Sequence, residues 1–160
     1  MTETKATGYD LLSSRDVPEI ELRAFLLDCF GITNGELFVG RIDQVHEDLR
    51  DAPQKVFAAF CTHGQVFGHF AMTISVGIEG GLAERVGRLE FAARFAAHFG
   101  AFVLYGDTEP PGLWTVVLAD GERLLAAMDD EDDRFTLYAA TAPVPGLPEI
   151  RVSRDLSHRR

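Results

Sequence analysis

Residues 66–78 alternate in type. Val66, Gly68, Phe70, Met72, Ile74, Val76 and Ile78 fall at one parity, and Phe67, His69, Ala71, Thr73 and Ser75 at the other. Successive side chains of a strand point to opposite faces, so this pattern predicts a sheet with one apolar and one mixed face. An apolar sheet face has to be covered by a second layer. Two segments have the 3.6-residue periodicity to supply it.

The first helix is predicted to start at Asp16-Val17-Pro18-Glu19, with Asp16 as cap, Pro18 in the first turn and Glu19 completing a capping box. Leu22, Phe25, Leu26, Cys29 and Phe30 form its apolar stripe, and Gly31 followed by Ile32 is the expected stop. The second runs through Leu82, Val86, Leu89, Ala93, Ala96 and Phe99, is widened by Phe91 and Phe95, and ends at Gly100. With 12 Phe and 46% hydrophobic residues in 160, one domain can build a sufficient core.

Further strands are expected at 36–42, at 54–62 (joined to 66–78 through His63-Gly64-Gln65), at 101–105 and at 135–140. Another pair, 113–119 and 122–128, flanks Asp120-Gly121, a hairpin signal. Residues 1–14 are expected as a lead-in and 43–53 as a loop or single turn. The predicted fold is α+β, a mostly antiparallel sheet with two main helices packed on one face. One domain spans 1–141. A tail with three prolines follows at 142–160, where four Arg against two acids give about +2 and leave about −12 on the rest.

The formal net charge of −10 repels phosphate backbones and anionic lipid surfaces, so neither nucleic acid nor membrane is an expected partner. It favours a basic protein partner and steers its approach. Residues 1–12 hold no apolar segment of the signal-peptide kind and no apolar run approaches membrane-spanning length, so a cytoplasmic location is expected.

Candidate chemical groups are few. Cys29 and Cys61 sit among apolar residues, as buried free thiols do. Cys61, His63 and His69 form the densest set of soft ligands. With a two-residue turn placing His63 opposite Val66, Cys61 faces Gly68 and His69 lies on the other face, so no metal site is expected. His69, Thr73, Tyr105 and Asp107 are candidates for a small-molecule pocket on the mixed face; Asp107 also pairs with Glu109 on a proline-rich loop. Asp129, Asp130, Glu131, Asp132 and Asp133 lack the alternation of a calcium loop and suit docking of a basic partner. Trp114, the sole Trp, is either partly buried core or an interface anchor. The phosphate-binding glycine patterns and the G-x-S-x-G nucleophile elbow do not occur, so neither cofactor nor catalytic set is expected.

Over roughly 82–130, a helix passes through Gly100 into a short strand. Tyr105-Gly106-Asp107 follows, then Leu113-Trp114-Thr115-Val116-Val117-Leu118 and the Asp120-Gly121 turn. In pattern and charge this stretch resembles small acidic immunity proteins of bacterial toxin–immunity systems, and uncharacterised actinobacterial proteins of similar size. The resemblance implies a non-catalytic inhibitor that covers the active site of a basic toxin enzyme, and it carries over no site residues. A small-molecule binder or small enzyme using the polar sheet face is the alternative, and a structural or assembly subunit a third.

Overall fold

The computed structural model describes residues 7–44, 57–79, 81, 85–105 and 113–153. Among them are ten strands: β1 (Thr7–Ser13), β2 (Leu37–Arg41), β3 (Ala59–Gln65), β4 (Phe67–Gly68), β5 (Met72–Ile78), β6 (Val103–Tyr105), β7 (Trp114–Val117), β8 (Arg123–Glu131), β9 (Arg134–Ala140) and β10 (Arg151–Val152). They form one sheet in the order β10-β9-β8-β7-β6-β1-β5-β3-β2, with β4 also beside β9. Pairing is antiparallel except for β2 with β3 and for β4 and β10 with β9. The chain is thus a mixed α+β fold on a largely antiparallel sheet, as its patterning implies.

Both expected helices form and share one face of the sheet. In α1 (Glu19–Phe30) the stripe Leu22, Phe25, Leu26, Cys29 and Phe30 is buried. Gly31 takes the left-handed conformation at φ 64°, where a side chain is strained, and its N–H closes onto the Leu27 carbonyl. The start differs from expectation. Pro18 is the N-cap and no side chain caps the helix, so Asp16 and Glu19 do not close a capping box. That motif forms instead at Thr33, whose N–H and hydroxyl both donate to Glu36 Oε1 at 2.8 and 3.0 Å. The second helix, α2 (Arg88–Phe99), begins later than its apolar periodicity suggests, because Gly87 is extended at φ −74°, ψ 168°. Positions 82–84 lie outside the described residues. Phe25 meets Phe95 edge-on at 5.6 Å, and Phe95 meets Phe99 at 4.7 Å. These rings join Tyr9, Leu11, Cys61, Ile74, Val76 and Val103 in one core layer.

Residues 7–13 are not a lead-in. They form β1, hydrogen-bonded to β5 on one side and β6 on the other. Tyr9 and Leu11 join the helix-side core, while Leu12 joins a second core on the opposite face. Leu11, Leu12 and Ser13 are buried in succession, so this end of the strand faces core on both sides and breaks the alternation that Tyr9 and the exposed Asp10 begin.

The alternating stretch 66–78 is not one strand. It is interrupted at 66–71, and β5 starts at Met72. The β3–β5 register pairs Gln65 with Met72, His63 with Ile74 and Cys61 with Val76, so the two-residue turn that would set His63 opposite Val66 does not occur. Residues 66–70 leave the hairpin and cross to β9. There Phe67 N–H donates to the Asp133 carbonyl and His69 N–H to the Phe135 carbonyl, each at 2.9 Å. Val66 and Phe70 consequently bury in the second core and not on the face that Met72 and Ile74 share with the helices.

That second core is completed by residues beyond 141. Val144 and Ile150 are buried there, and β10 runs parallel to β9 with Arg151 beside Ala139. The stretch expected as a tail is therefore packed against the sheet as far as Ser153, whose N–H reaches the Ala140 carbonyl at 2.8 Å. Its prolines break any periodicity without preventing packing.

Gly68 makes the crossing possible. It sits at φ 95°, and a Cβ there would run into the Phe135 carbonyl. Gly68→Ala should cost roughly 2 kcal/mol or more in urea unfolding and loosen exchange protection at His69 N–H; an unchanged midpoint would contradict the β4–β9 pairing.

Candidate functional site

The site follows from unequal strand lengths. β6 ends at Tyr105, opposite Leu11 of β1, and β7 begins at Trp114, opposite Ala126 of β8. β1 continues to Thr7 and β8 to Glu131. Beyond the described ends of the two inner strands, β1 and β8 stand three inter-strand spacings apart, about 14 Å. The notch between them is a groove of about 390 Å³.

Its floor belongs to the face away from the helices. Leu12, Thr73, Leu104, Trp114, Met128 and Phe135 line it. Leu12 and Leu104 lie in the second core, and Trp114, Met128 and Phe135 pack against it. Asp10 on β1 and Asp130 on β8 flank the groove on the same parity as Leu12 and Met128. Tyr105 and Arg88 reach the groove from the helix side: Tyr105 packs against the helix-side core and Arg88 opens α2. Tyr9 anchors this end. Its hydroxyl donates to the Val86 carbonyl, and burial pushes its pKa up.

Four sequence candidates meet here, drawn from both sets: Thr73 and Tyr105 from the ligand set, Trp114 and Asp130 from the partner set. Asp107 lies outside the described residues. His69 is absent from the groove and has a different task. Leu137 N–H donates to its Nδ1 at 2.9 Å, so that nitrogen carries no proton. Nε2 then donates to Glu149 Oε2 at 3.1 Å. The ring thus spans the gap along β9 between β4 and β10.

The acidic run is a hairpin and not a loop outside the sheet. Asp129, Asp130 and Glu131 end β8, and Asp132 and Asp133 make a two-residue turn at φ 54° and 62°. Positive φ at both positions is the turn that matches strand twist, and Asp is among the few residues tolerating it. All five acids are exposed. Strand alternation divides them: Asp130 pairs with Phe135 over the groove, while Asp129 pairs with Thr136 and Glu131 with Arg134 on the other face.

The soft ligands do not converge. Among the described residues no group of three or more His, Cys, Asp or Glu could hold a metal ion. His63 Nε2 is 2.7 Å from Glu19 Oε1, tying β3 to the start of α1. Cys61 is wholly buried, and burial, helped by the Glu19 carboxylate, pushes its thiol up to about 12 despite the opposing pull of Arg23. Burial likewise raises Cys29, against a hydrogen bond from Arg94. Neither is an activated nucleophile.

Asp10, Met128 and Phe135 meet only through strand register and Arg88 only through the packing of α2, so no local pattern joins them. The one available signal was that Asp10 lies within a short apolar segment. No helix among the described residues is long and apolar enough to cross a membrane. No protein-family model, curated protein or solved structure matches the chain.

With the Cys61 thiol near 12, its ionised fraction even at about pH 9 is on the order of one in a thousand. Iodoacetamide should leave Cys61 unmodified in the folded chain between about pH 7 and about pH 9 and label it readily in urea. Fast labelling without denaturant would contradict the buried thiol.

Proposed function

We propose that this chain is a non-catalytic binding protein, an inhibitor of the immunity type, that presents its acidic surface to a basic protein partner. The observation that carries this reading is the β8–β9 hairpin. It sets Asp130 on the lining of the groove that also holds Trp114, and holds Asp129, Glu131, Asp132 and Asp133 exposed around it. Clustered carboxylates on a body of net charge −10 accelerate encounter with a cationic surface. Half-buried aromatics at the centre of such a patch supply the short-range part of the affinity. Two free cysteines accord with work in a reducing compartment such as the cytoplasm. The groove's volume also falls in the range of small-molecule sites, and Thr73 and Tyr105 line it, which keeps a small-molecule binder as the second reading.

The test is capture of partners by the tagged chain from cells that produce it. The expected partner has a basic sequence, and its recovery falls about tenfold or more when Asp129, Asp130, Glu131, Asp132 and Asp133 are converted to their amides, and again with added salt. Recovery of no protein, or recovery indifferent to the amide substitutions, would overturn the reading.

A further inference from the structure

We infer that the notch between β1 and β8 is the seat of a single arginine side chain from the partner. The inference rests on the binding role proposed above and specifies what the groove takes.

Three features point to a guanidinium. The first is charge by face. Asp10 and Asp130, the two carboxylates among the described residues that line the groove, stand on the strands at its opposite sides and belong to the face away from the helices. Arg88, the one described cation of the lining, comes from the start of α2 on the other face, so the face away from the helices carries the acids. The second is availability. Asp10 Oδ1 accepts the Ser75 hydroxyl at 2.5 Å, which holds the carboxylate in place and leaves Oδ2 to a ligand. The Asp130 carboxylate has no hydrogen bond or ion pair among the described residues. An acid on an apolar floor without a cation of its own is placed to receive one.

The third is the floor itself. Phe135 pairs with Asp130 across the hairpin, and Met128 and Trp114 continue the same lining, a thioether and an indole further along the groove. A guanidinium is flat and weakly hydrated. It stacks on such surfaces while its N–H groups stay in plane for a carboxylate at the edge. A lysine ammonium is a compact, strongly hydrated charge and would lose water without gaining the stack. Leu12 and Leu104 then cover the aliphatic stem.

Trp114 is the only tryptophan in the chain, so its fluorescence reports on this groove alone. The probe is Nα-acetyl-arginine methylamide, which carries the guanidinium and no other charge. We expect a saturable change in Trp114 emission with an affinity on the order of millimolar, as suits one side chain. The citrulline analogue, equal in shape but neutral, should give no saturable change, and the lysine analogue a markedly weaker one. Asp130→Asn, at an exposed position, should weaken the arginine response about tenfold or more. Asp132→Asn, at the turn, should leave it unaltered.

Equal responses to arginine and citrulline probes, or indifference to Asp130→Asn, would overturn the inference. Capture of the partner separates it from the broader reading. If Asp130→Asn alone leaves capture intact while the five amide substitutions abolish it, the binding role stands and the arginine seat falls. If arginine binds but no basic protein is captured, the groove is a small-molecule site and both fall.

Discussion

Phe25, Phe91, Phe95 and Phe99 lock α1 and α2 onto one face of the sheet, and the rest of the molecule is arranged around that commitment. Both described helices are used on a single face. The opposite face still carries Leu12, Leu104, Val116 and Leu137, which need cover. Irregular chain provides it: residues 66–70 cross over from the β3–β5 hairpin, and residues 142–150 fold back beneath β9. Loops can serve as a layer only when their backbone groups find partners. The β4 and β10 pairings and the His69 ring, which accepts the Leu137 N–H, meet that condition.

Cover by loops is patchier than cover by helices, and the groove lies where it stops. Among the described residues, the short β6 and β7 leave the outer reaches of β1 and β8 without strand neighbours, and the groove lies between them. The exposed acids cluster at this point because β8 outruns its partner β7 and continues into the hairpin turn. The geometry that opens the groove is therefore also the geometry that charges its edge. In the proposed binding role the two are one device, with the hairpin drawing in a basic partner and the notch receiving it.

How much of this was legible in the sequence depends on how local each signal was. Helix stripes, the stop at Gly31 and the Asp120-Gly121 turn are local, and all appear; at that turn Leu118 N–H returns to the Glu122 carbonyl at 2.8 Å. The interruption after Gln65 was not legible. Val66, Gly68 and Phe70 keep perfect alternation with β5, yet Phe67 N–H and His69 N–H are spent on β9, a partner some 70 residues away in sequence. β1 escapes periodicity because Leu11, Leu12 and Ser13, buried in succession, break its alternation. The acids at 129–133 were identified by type, but their division between two faces needed the β8 register. Thr73, Tyr105, Trp114 and Asp130 were each singled out for separate reasons, and only the strand order brings them together. His69, a candidate ligand group by type and position, is a structural bridge; its two bonds, to Leu137 and Glu149, are with residues no pattern links to it.

The proposed binding role requires a partner to engage the notch and its acidic hairpin and to leave the helical face alone. Amide hydrogen exchange on the chain, free and bound to its captured partner, tests this directly. The expected result is added protection in β1 around Asp10, in β7 around Trp114 and in the β8–β9 hairpin from Met128 through Phe135, with α1 and α2 unchanged. Protection on α1 and α2 with the hairpin unaffected would contradict it.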